Sequence, residues 1–109
     1  MAEDRIKFDL IITVVNRGYA TDVIQISRKA GARGGTIICG RGAGIHEDKK
    51  IFGIPIEPEK EIILTIIEHD KTDVVLEAIK KELKLDEPGK GIAFVLDVEK
   101  VVGITNQTC

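Results

Sequence analysis

The sequence predicts an α+β sandwich in which two strand–helix–strand units follow one another in one chain. Three observations carry that prediction. Two runs rich in β-branched residues, IKFDLIITVV at 6–15 and EIILTIIE at 61–68, are each followed by apolar residues at helical spacing. Each helical stretch then gives way, across a glycine-bearing loop, to a further short apolar run. Finally, 109 residues with 43% apolar and 31% charged side chains suit a compact globular chain.

The first strand is expected over Ile6–Val15 and is stopped by the turn signal Asn16-Arg17-Gly18. A helix follows over Tyr19–Ala30, with Ala20, Val23, Ile24 and Ser27 on one face and Gly31 in place for a left-handed cap. Thr36–Cys39 is the second strand, closed by Gly40. In the second half, Glu61–Glu68 is a strand and Asp70 is the expected N-cap of a helix over Lys71–Leu83. Val75, Leu76, Ile79 and Leu83 form its apolar stripe, and Lys80, Lys81 and Lys84 suit its C-terminal end. The loop Asp86–Gly91 leads into a returning strand, Ile92–Val98, and a last short strand is expected over Lys100–Ile104. Residues 105–109 read as a flexible tail. Residues 41–58 have no sustained periodicity and read as a central loop with a ragged strand at Ile51–Ile56.

Two such units in tandem give βαββαβ, a ferredoxin-like sandwich in one domain spanning 1–109. Right-handed crossovers place both helices on one face of the sheet. Strands one and three are nonetheless apolar on both sets of alternate residues: Leu10, Ile12 and Val14 against Ile11, Thr13 and Val15, and Ile62, Leu64 and Ile66 against Ile63, Thr65 and Ile67. A bare apolar sheet face is unusual on a monomer, so the pattern predicts a homo-oligomer. Asp placed at Ile63 or Ile67 is expected to dissociate or unfold the assembly, because a buried unpaired carboxylate costs several kcal/mol.

Composition narrows the function. Sixteen Lys and Arg against eighteen Asp and Glu give a net charge of −2, whereas phosphate-backbone binders carry a basic excess. Lys90–Val95 resembles an RNA-recognition motif, but Tyr19, Phe8, Phe52 and Phe94 are too few aromatics for base stacking, so no nucleic-acid partner is expected. No apolar run reaches the ~18–20 residues of a membrane span, so no membrane insertion is expected. Residues 1–5 are acidic, unlike a signal peptide, and Cys39 and Cys109 are too few for a disulfide framework; together they predict a cytoplasmic protein.

Catalytic equipment is thin: two His, one Tyr and no Trp. His46, Glu47 and Asp48 are consecutive and cannot easily converge on one ion. His69 belongs to the turn into the second helix, and Cys39 reads as a buried small hydrophobe. No nucleophile–base arrangement can be assembled, so an enzyme is the poorer reading. The glycine clusters Gly40-Arg41-Gly42-Ala43-Gly44 and Gly89-Lys90-Gly91 are the stronger signal. Glycine lets backbone approach a ligand, and successive N–H groups beside Arg41 or Lys90 can cradle an anion. The competing reading is that these glycines only shape tight turns.

At these residues the sequence resembles the PII family of signal-transduction proteins. Gly34-Gly35-Thr36, the Gly40-Arg41-Gly42 step, and Gly89-Lys90-Gly91-Ile92-Ala93-Phe94-Val95-Leu96-Asp97-Val98 continuing to Val101 and Val102 carry the likeness. The resemblance implies a ferredoxin-like homotrimer with helix-free sheet faces inward and ligand clefts between subunits. It implies a regulator of nitrogen use that senses adenine nucleotides and 2-oxoglutarate and acts on a transporter or enzyme through its central T-loop, here 41–58. Carried over, Thr36, Gly40, Gly42, Gly89 and Gly91 match cleft positions; Arg41 and Lys90 join them from the glycine clusters as anion-facing cations, Lys90 falling where the family commonly has an acidic residue.

Departures are equally specific. The family's phosphate-contacting lysine falls at Ile92, and its two C-terminal arginines fall at Gly103 and Thr105. Charge-assisted hydrogen bonds are worth roughly 1.5–3 kcal/mol each, so an adenine nucleotide is expected to bind weakly or not at all. No tyrosine lies in the central loop. No resident cofactor or metal is expected, and the ligand is a small anion. The alternatives are a ligand-free trimeric adaptor and, less favoured, a small enzyme on the same fold.

Overall fold

Both long strands form where β-branched residues cluster, and each feeds a helix through a short connection. The computed structural model describes residues 6–44 and 49–104. Strand β1 spans Phe8–Asn16, helix α1 Ala20–Lys29, β2 Thr36–Arg41, β3 Lys49–Ile51, β4 Ile54–Ile56, β5 Glu59–Glu68, helix α2 His69–Glu82 and β6 Gly91–Val98. The main sheet is antiparallel in the order β2-β5-β1-β6, and β3 and β4 pair separately. This is the expected ferredoxin-like α+β sandwich.

Both helices pack on one face. Ile11, Val15, Ile63 and Ile67 of the sheet meet Ala20, Val23, Val75 and Ile79 of the helices in one buried core. The Glu61 carboxylate, reaching from β5, accepts hydrogen bonds from the Gly18 and Ala20 N–H groups at 3.0 Å each, satisfying donors at the start of α1. Helix α1 ends as expected, with Gly31 at φ 125° and Ala32 N–H bonded to the Ser27 carbonyl at 2.9 Å. Helix α2 ends the same way on Lys84 at φ 56°, a left-handed position filled without glycine.

Several expectations are corrected. Of the two outcomes expected for Asp at Ile63 or Ile67, burial under the helices leaves unfolding; the open apolar face is of the other parity. Register puts Ile38, Ile62, Val14 and Ile92 in one row of the open face and Thr36, Leu64, Ile12 and Phe94 in the next. Gly40 does not close β2: it pairs with Lys60, and Arg41 with Glu59. Helix α2 begins at His69, so Asp70 sits in its first turn, where its charge suits the helix dipole. The ragged strand at 51–56 is a hairpin turning on Phe52-Gly53.

The extra strand expected over Lys100–Ile104 is not formed in the single chain. The backbone bends at Glu99, and Val101–Ile104 turn to line a hollow with Phe8, Leu64 and Ile66 on the open face. Cys39 is exposed on the β2 edge, not buried. Its strand is one edge of the sheet and is exposed along nearly its whole length. His46, Glu47, Asp48, Thr105 and Cys109, with the tail expected at 105–109, lie outside the described residues.

Candidate functional site

Two glycine-bearing loops and the end of the sheet enclose a cavity of about 530 Å³. Its floor is one row of the open face, Val14, Ile62 and Ile92 from three neighbouring strands. Arg41, Gly42, Ala43 and Gly44, leaving β2, form one wall, and Leu85–Gly89 with Gly91, entering β6, form the other. Lys60 of β5 completes the lining beside Arg41.

Gly91 can be nothing but glycine. At φ 137°, a Cβ there would lie 2.5 Å from the Val14 carbonyl oxygen and 3.2 Å from Val15 Cγ1. The absence of a side chain lets β6 begin flush against β1 and brings its loop over the cavity. Gly89, at φ 77°, supplies the preceding left-handed turn.

Side-chain hydrogen bonds hold the two walls in register. Asn16, the last residue of β1, donates from Nδ2 to the Gly89 carbonyl at 3.0 Å. Lys60 Nζ donates to Asn16 Oδ1 at 2.6 Å. The central segment is pinched at its root by the Gly42 N–H donating to the Pro58 carbonyl at 3.1 Å. Just outside, Arg17 Nη1 pairs with Glu59 Oε1 at 2.6 Å. Asn16 therefore ties loop 86–91 to Lys60 of β5, just beyond the C-terminal root of segment 41–58.

Of the seven residues singled out in the sequence, Arg41, Gly42, Gly89 and Gly91 share this cavity. Lys90 is exposed and is not in its lining. Gly40 lines an adjoining hollow of about 510 Å³ with Arg17, Cys39, Arg41 and Glu59–Glu61. Thr36 lies at the other end of β2, five residues or roughly 17 Å from Arg41. There it lines a third hollow, of about 400 Å³, with Arg33, Gly34, Gly35, Glu68 and Val101–Ile104. Arg33 Nη2 and Glu68 Oε2 face each other in it at 3.4 Å.

Asn16 and Lys60 are site residues that sequence reasoning missed. Asn16 reads as part of a turn signal, and its partners are 44 and 73 positions away along the chain. One usable signal existed: Lys60 continues the alternation of Ile62 and Leu64 and so falls on the open face.

Asp9 forms a separate polar cluster beneath α2. Its Oδ2 accepts from Thr72 Oγ1 at 2.7 Å and pairs with His69 Nδ1 at 2.8 Å. The Thr72 hydrogen bond, aided by His69, holds the carboxyl below its usual range although burial opposes this. Among the described residues no group of three or more His, Cys, Asp or Glu is placed to hold a metal ion. No helix among them is long and apolar enough to cross a membrane.

Known proteins carry the same fold. The chain is similar to the Bacillus subtilis GlnK–ATP complex, at 22% identity, covering 85% of this chain and 84% of that one with a TM-score of 0.66. It is similar to Arabidopsis thaliana PII bound to citrate, at 27% identity, 85% and 78% coverage and a TM-score of 0.64. It is also similar to CPII, a nitrogen regulatory PII-like protein from Thiomonas intermedia K12 bound to ADP, AMP and bicarbonate, at 16% identity, 90% and 97% coverage and a TM-score of 0.67. No curated protein matches the sequence. The family model for nitrogen regulatory protein P-II matches residues 8–108, which agrees with the resemblance seen in the glycine motifs, and the chain belongs to that family.

Proposed function

We propose that this chain is a non-enzymatic regulator that senses a small anionic metabolite and acts on a partner protein, a transporter or an enzyme, through residues 41–58. The observation that carries this reading is the position of the cavity. It sits at the root of the central segment, walled by backbone that only glycine permits and tied to that root through Asn16 and Lys60. A ligand that orders Gly89 or Arg41 therefore acts on the base of the protruding segment.

The working form is a homotrimer of one-domain chains, 1–109. The Thr36 hollow and the Arg41–Gly89 cavity lie at opposite ends of one apolar face. A rotational, head-to-tail contact between copies covers that face and sets one chain's Thr36 end against its neighbour's glycine loops. Thr36, Gly40, Arg41, Gly42, Gly89 and Gly91 then border one cleft, with Lys90 at its rim. GlnK with ATP, PII with citrate and CPII with ADP, AMP and bicarbonate supply the ligand classes to try. Control of nitrogen use and a cytoplasmic setting go with this reading.

ATP is the weak member of that set. Ile92, where the family's phosphate lysine falls, is part of the apolar floor, and Gly103 and Thr105 replace two arginines. A site held by one or two charges has a Kd in the high-micromolar to millimolar range, around −4 to −6 kcal/mol. The test is a thermal-shift panel of ATP, ADP, AMP, citrate, 2-oxoglutarate and bicarbonate. A ligand at 100 times its Kd adds about 2.7 kcal/mol of stability, an obvious rise in Tm. A panel without any shift favours the ligand-free adaptor, and turnover of a panel member favours the enzyme.

A further inference from the structure

The β3–β4 hairpin carries a residue that its turn does not want. Ile51 pairs with Ile54, leaving Phe52 and Gly53 as a two-residue loop with φ of 52° and 80°. Positive φ at both positions is the type I′ turn, whose first position is ordinarily Asn, Asp or Gly. A phenylalanine there takes backbone strain that any of those residues would relieve, and strain of this kind collects where a segment acts on something else. Phe52 is also 99% exposed, and Ile54 beside it 62% exposed. The other two phenylalanines, Phe8 and Phe94, lie in the main sheet.

We propose that Phe52 is a docking anchor, inserted by the hairpin tip into an apolar pocket on a partner protein. The assignment deepens the reading of residues 41–58 as the partner-contacting segment and rests on it. A lone aromatic presented on a narrow two-stranded tip fits a concave, ring-sized pocket, the usual setting of a binding hot spot. A lipid surface fits less well. Residues 49–59 hold Lys49 and Lys50 against Glu57 and Glu59, a neutral stretch without the basic cluster that anionic membranes attract.

The test places a photo-crosslinking phenylalanine analogue at position 52, or at Glu77 on the exposed side of α2, in the full chain in cells of its source. The expected result is a protein captured from position 52 and not from 77. Once identified and purified, that protein binds the wild-type chain, and Phe52→Asn weakens binding at least tenfold while Phe52→Leu weakens it less. Phe52→Asn keeps or raises the Tm, because it relieves the turn, and keeps any thermal shift of the ligand panel. Three results overturn the proposal: no capture at 52, equal capture at 77, or unchanged binding by Phe52→Asn. Phe52-dependent binding to phosphatidylcholine–phosphatidylserine vesicles replaces the protein pocket by a membrane. A ligand panel without shifts removes the sensor reading alone, since capture at 52 is scored independently.

Discussion

The two faces of the sheet differ chiefly in what covers them. On the helix side Ile11, Thr13, Val15, Ile63, Thr65 and Ile67 are buried. One residue along in the same strands, Leu10, Ile12, Val14, Ile62 and Leu64 are half-buried and Ile66 is 38% exposed, and beside them on β6 Phe94 is 42%, Leu96 50% and Ile92 57% exposed. The covered face also holds polar atoms: Thr13 Oγ1, Thr65 Oγ1 and Asp9 Oδ1 are buried without a hydrogen-bond partner. A chain that tolerates polar groups in its core while leaving an aliphatic face bare has two burials to complete. Folding completes one, and association with further copies completes the other.

Substitutions on the two faces should therefore fail in different ways. The largest effect is expected from Ile63→Asp, which places an unpaired carboxylate under both helices at a cost of several kcal/mol. Against a typical stability of about 5–15 kcal/mol, that removes the cooperative unfolding transition seen by circular dichroism. Next, Gly91→Ala forces a Cβ toward the Val14 carbonyl in a backbone region other residues avoid, which costs at least about 1–3 kcal/mol. Chemical denaturation should show that loss, and a variant as stable as wild type would contradict the close approach of β6 to β1.

A third effect, no larger than that of Gly91→Ala with its added clash, concerns the covered face alone. Asp9 is depressed below its ordinary value of 3.8, so its contribution is fully present above pH 3.8 and is lost as pH falls through the lower folded value. Thr72→Ala removes the main cause of that depression and leaves burial, which acts the other way. The variant should lose about 1.5–3 kcal/mol at neutral pH, and its acid-unfolding midpoint should move to higher pH. An unchanged midpoint would mean that Thr72 does not hold the carboxylate charged.

The same comparison explains what could be read in the sequence. Strand and helix positions were legible because β-branched runs and helical stripes are local signals, and Gly31 marked the end of α1 as a cap should. Face parity was not. With both alternate sets apolar, nothing local says which set meets the helices, so for Ile63 and Ile67 dissociation and unfolding both stayed open. Phe52-Gly53 hid a hairpin because phenylalanine is not a residue that turn chemistry calls for. In the site, Arg41, Gly42, Gly89 and Gly91 announced themselves through clustered glycine. Asn16 and Lys60 did not, since their bonds join segments that only the sheet brings together.

The central claim is that the open face is a surface between copies, and the molar mass in solution tests it most directly. Light scattering on the wild-type chain at micromolar concentration should return about 36 kDa, three chains of 11.9 kDa each. Leu64→Asp, on the open face, should return the mass of one chain with its circular dichroism spectrum unchanged. A wild-type protein that runs as a folded 11.9 kDa monomer would contradict the claim and leave the bare face without its reason.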